Sequence, residues 1–539
     1  MISFDYLTLK AFFAENSGFF EGARLQKIQQ PTRRDFVFTV RGQSETRKLY
    51  INIDPQAYHI CFLSGKTSQM RNITIPKKPP MFCMLLRKYL EGFRIVRVNV
   101  PPYERIFEIY FESYDELNEK INLCLAIELM GKYSNVILYN ASTNIIIGCA
   151  HNVGTEKSRE RELAGTLPYV YPSKQNKADI LRYNGEVRYD SLNDEFMGIS
   201  LALQNMFKDN QVPLEKIKDY IELKPQRTPA ISEDTYSIYS ELISPIVYTC
   251  SSVNEMIDTY YSKIQEKILK RALKLKLKNI VSPRYKKQKS SVEKINQQLQ
   301  KKDNASKYKK YADLIVSNLY NLKDYTDKVE VFDWEENKKI VIPMNKDLSL
   351  KENSQKYYAL YTKSKSAKEK LEGLKINAIE EISYLEQILY SIEGAQDLKT
   401  LFEILSECEE MGFVNHSGNV IKDKDISVET IEIDGFKVFI GKNNRQNDLI
   451  VSKLSSADDI WFHTQNCPGS HILLKIPDKI YPSDDIIYEC CKLAKKYSSA
   501  SKNTKAGVIY TKRKYLKKPP KANLGYVIYK NEKEIIVSE

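Results

Sequence analysis

Trp461, His463 and His471 fall within eleven residues and include one of the two tryptophans and two of the five histidines of a 539-residue chain. His463, Cys467 and His471 are spaced i, i+4, i+8, an interval that on a helix would aim three metal-ligating groups along one face. Pro468-Gly469 sits inside that span and breaks any helix there, so no metal is expected. A Pro-Gly-Ser turn instead offers backbone N–H groups and the Ser470 hydroxyl to an anion. Just upstream, Asn443, Asn444, Arg445, Gln446 and Asn447 gather four amides and one guanidinium, groups suited to phosphate, ribose or base-edge contacts. A turn would use one or two asparagines but does not need all five residues.

Charge strengthens the polyanion reading. The net charge is +13, and residues 261–310 hold 17 Lys/Arg against 3 Asp/Glu, or +14, so that one segment accounts for the whole excess. A second block, 492–521, holds 11 Lys/Arg and no acid, with Lys512, Arg513, Lys514, Lys517 and Lys518 at its densest point. One Lys-rich helix would be read as a solvated face. Two separate basic blocks point to nucleic acid.

Other chemistries find no support. There is no G-x-x-x-x-G-K-S/T phosphate loop, no G-x-G-x-x-G opening a helix and no G-x-S-x-G elbow, so neither a nucleotide cofactor nor a serine nucleophile is expected. The nine cysteines show no CxxC pair, and the adjacent Cys490-Cys491 are poorly placed to bridge each other; they read as reduced thiols of a cytoplasmic protein. Met1 to Asp5 lacks the basic-then-apolar order of a secretory signal, and no apolar run is long enough to span a bilayer.

Elements must position these groups. A multidomain α+β chain is expected. Residues 1–175 form a mixed α/β domain with strands near 36–40, 48–53, 105–110, 136–139 and 145–147. Its helices are Met81–Leu90, ended by Gly92, and Leu117–Met130, ended by Gly131. Tyr103-Glu104-Arg105 opens a strand there. Residues 176–245 form a small helical module. Residues 250–395 form a long antiparallel arm, its outgoing helix kinked or interrupted at Pro283, its tip a small hairpin near 325–350. The returning helix carries Leu371, Leu374, Ala378, Ile382, Leu385, Leu389 and Ile392 at coiled-coil spacing. A linker, 396–427, contains one more helix, and 428–539 is a second α/β domain.

Several segments, in order, resemble the NFACT family, whose bacterial members are the RqcH or fibronectin-binding-protein-like group. They are Gly22-Ala-Arg-Leu-Gln-Lys-Ile-Gln-Gln-Pro31, Phe82-Cys-Met-Leu-Leu-Arg-Lys-Tyr-Leu-Glu-Gly92, Leu129-Met-Gly-Lys-Tyr-Ser-Asn135, Asn353-Ser-Gln-Lys-Tyr-Tyr358 and the C-terminal cluster. The family usually has His at the position of Tyr133. The resemblance covers essentially the whole chain. It implies an NFACT-N domain related to glycosylase N-domains, a helix-hairpin-helix module, a coiled-coil arm and an NFACT-R RNA-binding domain.

It also implies a function. Such a protein binds large ribosomal subunits, through rRNA, that are obstructed by peptidyl-tRNA. It recruits tRNA(Ala) and supports mRNA-independent alanine tailing of the stalled chain. The implied factor works with a small RNA-binding partner in the same cycle, binds as a monomer, and needs no cofactor or catalytic residue of its own, because the ribosome makes the peptide bond. The family's functional N-terminal Asp and Asp-Arg pair map to Asp5, Glu104 and Arg105, with Glu replacing Asp. Two alternatives remain at this point: a glycosylase-like nucleic-acid-modifying enzyme and a fibronectin-binding surface adhesin. Fold analogy does not carry chemistry to the first, and Ile2 supplies no nucleophile. The lack of a signal segment argues against the second.

Overall fold

The computed structural model describes residues 4–538 apart from 66, 68–70, 72, 74, 115–119, 155–160, 174–175, 302–304, 415–425, 478–479 and 521. Met1–Ser3, and parts of the linker and arm expected above, therefore lie outside the described residues. The chain divides into two compact units, Met1–Ile268 and Leu269–Glu539.

The first unit is built on a nine-stranded antiparallel sheet. Its strands are β1 (Arg24–Gln29), β2 (Asp35–Arg41), β3 (Thr46–Asn52), β4 (His59–Phe62), β5 (Arg94–Asn99), β6 (Ile106–Tyr114), β7 (Lys120–Glu128), β8 (Asn135–Asn140) and β9 (Ile146–Cys149). They lie in the order β4-β3-β2-β1-β5-β6-β7-β8-β9. Helix Tyr6–Phe20 packs Phe12 and Phe20 onto the sheet, with ring centroids 5.9 and 5.5 Å from Phe107 and 5.9 and 5.3 Å from Phe62. Burying each such ring contributes roughly 1.5–3 kcal/mol. Helix Met81–Leu90 buries Cys83, Leu86 and Leu90, and Gly92 follows it at φ +93°, a left-handed conformation that favours glycine.

Of the helix expected over Leu117–Met130, residues 117–119 lie outside the described residues and the rest is not helical. Lys120–Glu128 is β7, paired with β6 throughout and with β8 from Leu123 on. Leu123 through Ile127 are all fully buried, because both sheet faces are covered. A continuous apolar run of that kind has no alternation, so its period cannot separate strand from helix. Tyr103–Arg105 also precede their strand, which begins at Ile106, and Tyr103 has φ +62°.

Helices Leu201–Asp209 and Leu214–Glu222 and a three-stranded ribbon (Ala230–Ile231, Tyr236–Ser237, Tyr248–Thr249) complete this unit. Its last element is the start of helix Val253–Lys301. Asn254 pairs with the edge strand β4 as a backbone would: its Oδ1 accepts from Phe62 N at 2.6 Å and its Nδ2 donates to Phe62 O at 3.0 Å. One turn on, Asp258 accepts from Ser64 N and Thr67 Oγ1 and ion-pairs with buried Arg71 at 3.1 Å.

In the second unit the same helix continues without interruption through Pro283. The lost N–H costs one hydrogen bond, and flanking contacts from Val281 and Tyr285 help hold the segment in place. Helix Ala305–Ser317, an antiparallel strand pair (Lys328–Asp333 with Lys338–Pro343) and helix Leu350–Gly394 follow. The last starts with a capping box between Ser349 and Glu352. Leu273, Leu277 and Val281 pack against Leu385, Ile388 and Ile392, and Lys274 Nζ donates to Glu393 O while Gln288 Nε2 donates to Glu381. These contacts run antiparallel. Of the expected seam, Ala378, Leu385 and Ile392 are buried and Leu374 is exposed.

Helix Leu398–Glu410 leads to a six-stranded sheet of Glu429–Ile433, Phe436–Ile440, Ile472–Leu474, Ile460–Thr464, Lys505–Lys512 and Lys533–Ser538, in that spatial order, with helix Asp484–Lys496 packed on it. All nine cysteines are free. No helix among the described residues is long and apolar enough to cross a membrane.

Candidate nucleic-acid interface

In the first unit, Asp5 caps helix Tyr6–Phe20. Its Oδ1 accepts from Thr8 N at 2.9 Å and Thr8 Oγ1 at 2.7 Å, and its Oδ2 accepts from Ser200 Oγ at 2.9 Å. Such a cap is worth about 1 kcal/mol, so Asp5 has a structural duty whatever else it does. Asp5 is buried, whereas Glu104 and Arg105 are half-buried on the approach to β6. Arg105 Nη1 donates to Tyr58 OH at 3.2 Å, and its guanidinium lies 5.9 Å from that ring. Tyr103 donates to Asp179 at 2.5 Å, and Gly198 (φ +76°) lets it in: a Cβ there would fall 2.7 Å from the Tyr103 ring. The structure thus seats the Glu104-Arg105 pair on a loop anchored by Tyr103, with Tyr58 OH accepting from the guanidinium.

In the second unit, the amide cluster faces inward. Asn443 through Asn447 are all buried. Asn443 Oδ1 caps helix Asn444–Leu449 by accepting from Gln446 N at 2.9 Å. Asn443 Nδ2 and Gln446 Nε2 both donate to Glu403, at 2.7 and 2.8 Å. Asn444 Nδ2 donates to Glu407, Arg445 ion-pairs with Glu410, and Asn447 Oδ1 accepts from His471 N at 3.0 Å. Gly441 is required here, since a Cβ would fall 2.2 Å from Asn447 Oδ1. These residues therefore present no donors to solvent; they bind the helix Leu398–Glu410 to the sheet. The acidic run Glu403, Glu407 and Glu410 is the half of this network that sequence reasoning missed. Its i, i+4, i+7 spacing puts the three carboxylates on one helix face, a signal that was available.

Of the two histidines, His471 is buried and His463 half-buried beside it. Trp461, His463 and His471 form a ring cluster with centroids 5.2–5.8 Å apart. Burial holds His463 down to about 4 and His471 well below the usual imidazole range, so both are neutral at pH 7. The turn that looked open to an anion is occupied: Gly469 N donates to Gln387 Oε1 at 2.8 Å and Ser470 N to Tyr497 O at 2.9 Å.

The basic residues do reach the surface, but with company. Lys512 and Lys514 both contact Asp458, at 3.2 and 3.3 Å, and Lys518 pairs with Asp448. Arg513 Nε donates to Ser455 Oγ at 3.2 Å. Lys517 is exposed and makes no ion pair among the described residues. On helix Val253–Lys301, Lys276, Lys286, Lys287 and Lys294 are exposed and without an ion pair among the described residues, so this helix carries the less encumbered cationic face.

Comparison with known proteins covers almost the whole chain, though its domain limits do not fall at the division between the two units. Residues 5–209 and 200–425 match the NFACT N-terminal and middle domains, and residues 428–531 match the NFACT protein RNA binding domain. "Rqc2 homolog RqcH" of Bacillus subtilis is 29% identical over 547 residues, covering 96% of this chain and 94% of that protein. Its namesake in Streptococcus suis is 27% identical over 553 residues, covering 100% and 98%. Among solved structures, the N-terminal part of the fibronectin/fibrinogen-binding protein of Streptococcus suis is 25% identical over 48% of this chain and 100% of that one, with a TM-score of 0.43, too low to bear on function. Matched along nearly its whole length by these domains, the chain belongs to the NFACT family.

Proposed function

We propose that this protein is a non-catalytic RNA-binding factor of ribosome-associated quality control in the cytoplasm. It docks on large ribosomal subunits obstructed by peptidyl-tRNA, recruits tRNA(Ala) and supports alanine tailing, while the ribosome makes each bond. The observation that carries this reading is the end-to-end match to proteins named Rqc2 homolog RqcH, extending across the RNA-binding domain. Lys276, Lys286, Lys287 and Lys294 on helix Val253–Lys301, exposed and without an ion pair among the described residues, support it, because phosphate contacts need cations free of internal carboxylates.

The layout we assign is an NFACT-N domain (1–175), a helix-hairpin-helix module (176–245), a coiled-coil arm (250–395), a linker (396–427) and an NFACT-R domain (428–539). Asp5, Glu104 and Arg105 are the tailing residues in this reading, with a small RNA-binding partner completing the cycle. The test is affinity purification of the full chain from cells under translational stress. Large subunits with a single predominant tRNA, and nascent chains bearing C-terminal alanine by mass spectrometry, are expected. Purification free of ribosomal RNA overturns the proposal.

A further inference from the structure

Pro101-Pro102-Tyr103-Glu104 is a turn closed by Glu104 N, which donates to Pro101 O at 3.1 Å. Its third residue, Tyr103, has φ +62°. Glycine or asparagine normally fills that place in a turn with proline second, because a Cβ there strains the backbone. A tyrosine kept in this conformation is held by its surroundings, and strained residues of this sort gather at functional sites.

Three contacts hold it. The hydroxyl donates to Asp179 Oδ1 at 2.5 Å, and that oxygen is itself fixed, since it also accepts from Leu181 N at 3.0 Å. The ring lies 5.5 Å from that of Tyr6, the residue after Asp5. Gly198, at φ +76°, closes the third side: a Cβ would fall 2.7 Å from the Tyr103 ring and 3.0 Å from that of Tyr6. Two residues further on, Ser200 Oγ donates to Asp5 Oδ2 at 2.9 Å. The stretch from Asp179 to Ser200 therefore grips both Asp5 and the turn that leads into Glu104 and Arg105. Beyond the pair the sheet takes over, with Leu129 N donating to Arg105 O at 2.8 Å. Strand β6 begins only at Ile106, so the sheet by itself does not fix Glu104.

We propose that Tyr103 is a positioning residue. Its anchored ring and hydroxyl fix the backbone of Glu104 and Arg105 and so set where that pair points relative to Asp5. A tyrosine without this duty would be replaceable by glycine, which takes up the same turn free of strain. The inference rests on the reading of Asp5, Glu104 and Arg105 as the tailing residues and adds the residue that orients them.

The experiment supplies full-length variants with obstructed large subunits and charged tRNA, and counts residues added per stalled chain. Subunit capture, melting temperature and hydrogen exchange at the Glu104 amide are measured beside it. Tyr103→Phe keeps the ring and loses the bond to Asp179. It should lower tailing about fivefold or more, with capture and melting near wild type and Glu104 exchange faster. Asp179→Ala should do the same. Asp179→Asn, whose amide oxygen still accepts, should tail near wild type. Tyr103→Phe combined with Asp179→Ala should be no worse than either alone, because both remove one bond. Tyr103→Gly relaxes the turn but loses the anchor, and its tailing should fall furthest. Wild-type tailing by Tyr103→Phe or Tyr103→Gly overturns the inference. So does a loss in Tyr103→Phe with Asp179→Ala silent, which would mean that the hydroxyl acts directly. Tailing that falls only in step with melting temperature marks a structural role and overturns it too. If Arg105→Ala loses tailing while the Tyr103 variants keep it, this inference alone fails. If Arg105→Ala tails fully, or the wild type not at all, the reading of the pair fails and takes the inference with it.

Discussion

Asn444 Nδ2 donates to the fully buried carboxylate of Glu407 at 2.8 Å, and Tyr384 OH donates to the same group at 2.6 Å. Burial outweighs both bonds and pushes Glu407 up to about 7. A carboxyl raised above its unfolded value near 4.5 binds more protons folded than unfolded between those two values. Its contribution is present below pH 4.5 and is lost as pH rises to 7. The second unit should therefore lose up to about 3 kcal/mol over that window from this residue. Glu407→Gln should flatten the pH dependence of urea unfolding; a curve of unchanged slope would contradict the assignment.

His463 acts in the opposite sense. Its imidazole is held down to about 4 by burial, so the folded state binds fewer protons than the unfolded state between pH 4 and 6.5. Its contribution is complete above 6.5 and is lost as pH falls through 4. His463→Phe should reduce this acid sensitivity, measured as the change in melting temperature between pH 5 and 7, with buried His471 retaining its own share.

The Arg71–Asp258 pair locks the base of the long helix to the edge strand β4, and both side chains are almost wholly enclosed. Removing one partner leaves an uncompensated buried charge, at a cost of about 3–5 kcal/mol. Asp258→Ala should therefore speed hydrogen exchange in His59–Phe62 by orders of magnitude. Protection equal to wild type would show that Asn254 alone holds the strand.

Arg105→Ala removes the hydrogen bond to Tyr58 OH and a half-buried cation. We expect alanine tailing to fall at least tenfold, with capture of large subunits within about twofold of wild type. Glu104→Asp, which shortens the reach by one methylene, should keep tailing. Full tailing by the Arg105→Ala protein would exclude a role for this residue.

Lys286 and Lys287 are exposed and unpaired among the described residues, so Lys286→Glu/Lys287→Glu should weaken subunit binding and lower the slope of log K against log salt by about 2. The triple change Lys512→Gln/Lys514→Gln/Lys518→Gln should matter less, since those cations already face Asp458 and Asp448. Equal loss from both sets would mean that these internal pairs open on docking.

Much of this was legible in the residues. Met81–Leu90 appears with its predicted bounds because Pro80 and Gly92 punctuate it and its apolar spacing is helical. Lys120–Glu128 was misread because a strand buried on both faces loses its alternation. Pro283 was over-weighted, since tertiary contacts hold a helix through one missing bond. The Asn443–Asn447 cluster was noticed for its chemistry, but the direction of those amides was set by carboxylates some forty positions earlier, which no local pattern reveals.

The carboxylate ledge of Leu398–Glu410 has a practical corollary for anyone dissecting this chain. A truncation beginning at 428, where the RNA-binding match starts, would strip Asn443, Asn444, Arg445 and Gln446 of acceptors they use. Such a fragment should come out of expression as an aggregate or a loosened globule, whereas one starting ahead of Asp397, the cap of that helix, keeps its keel.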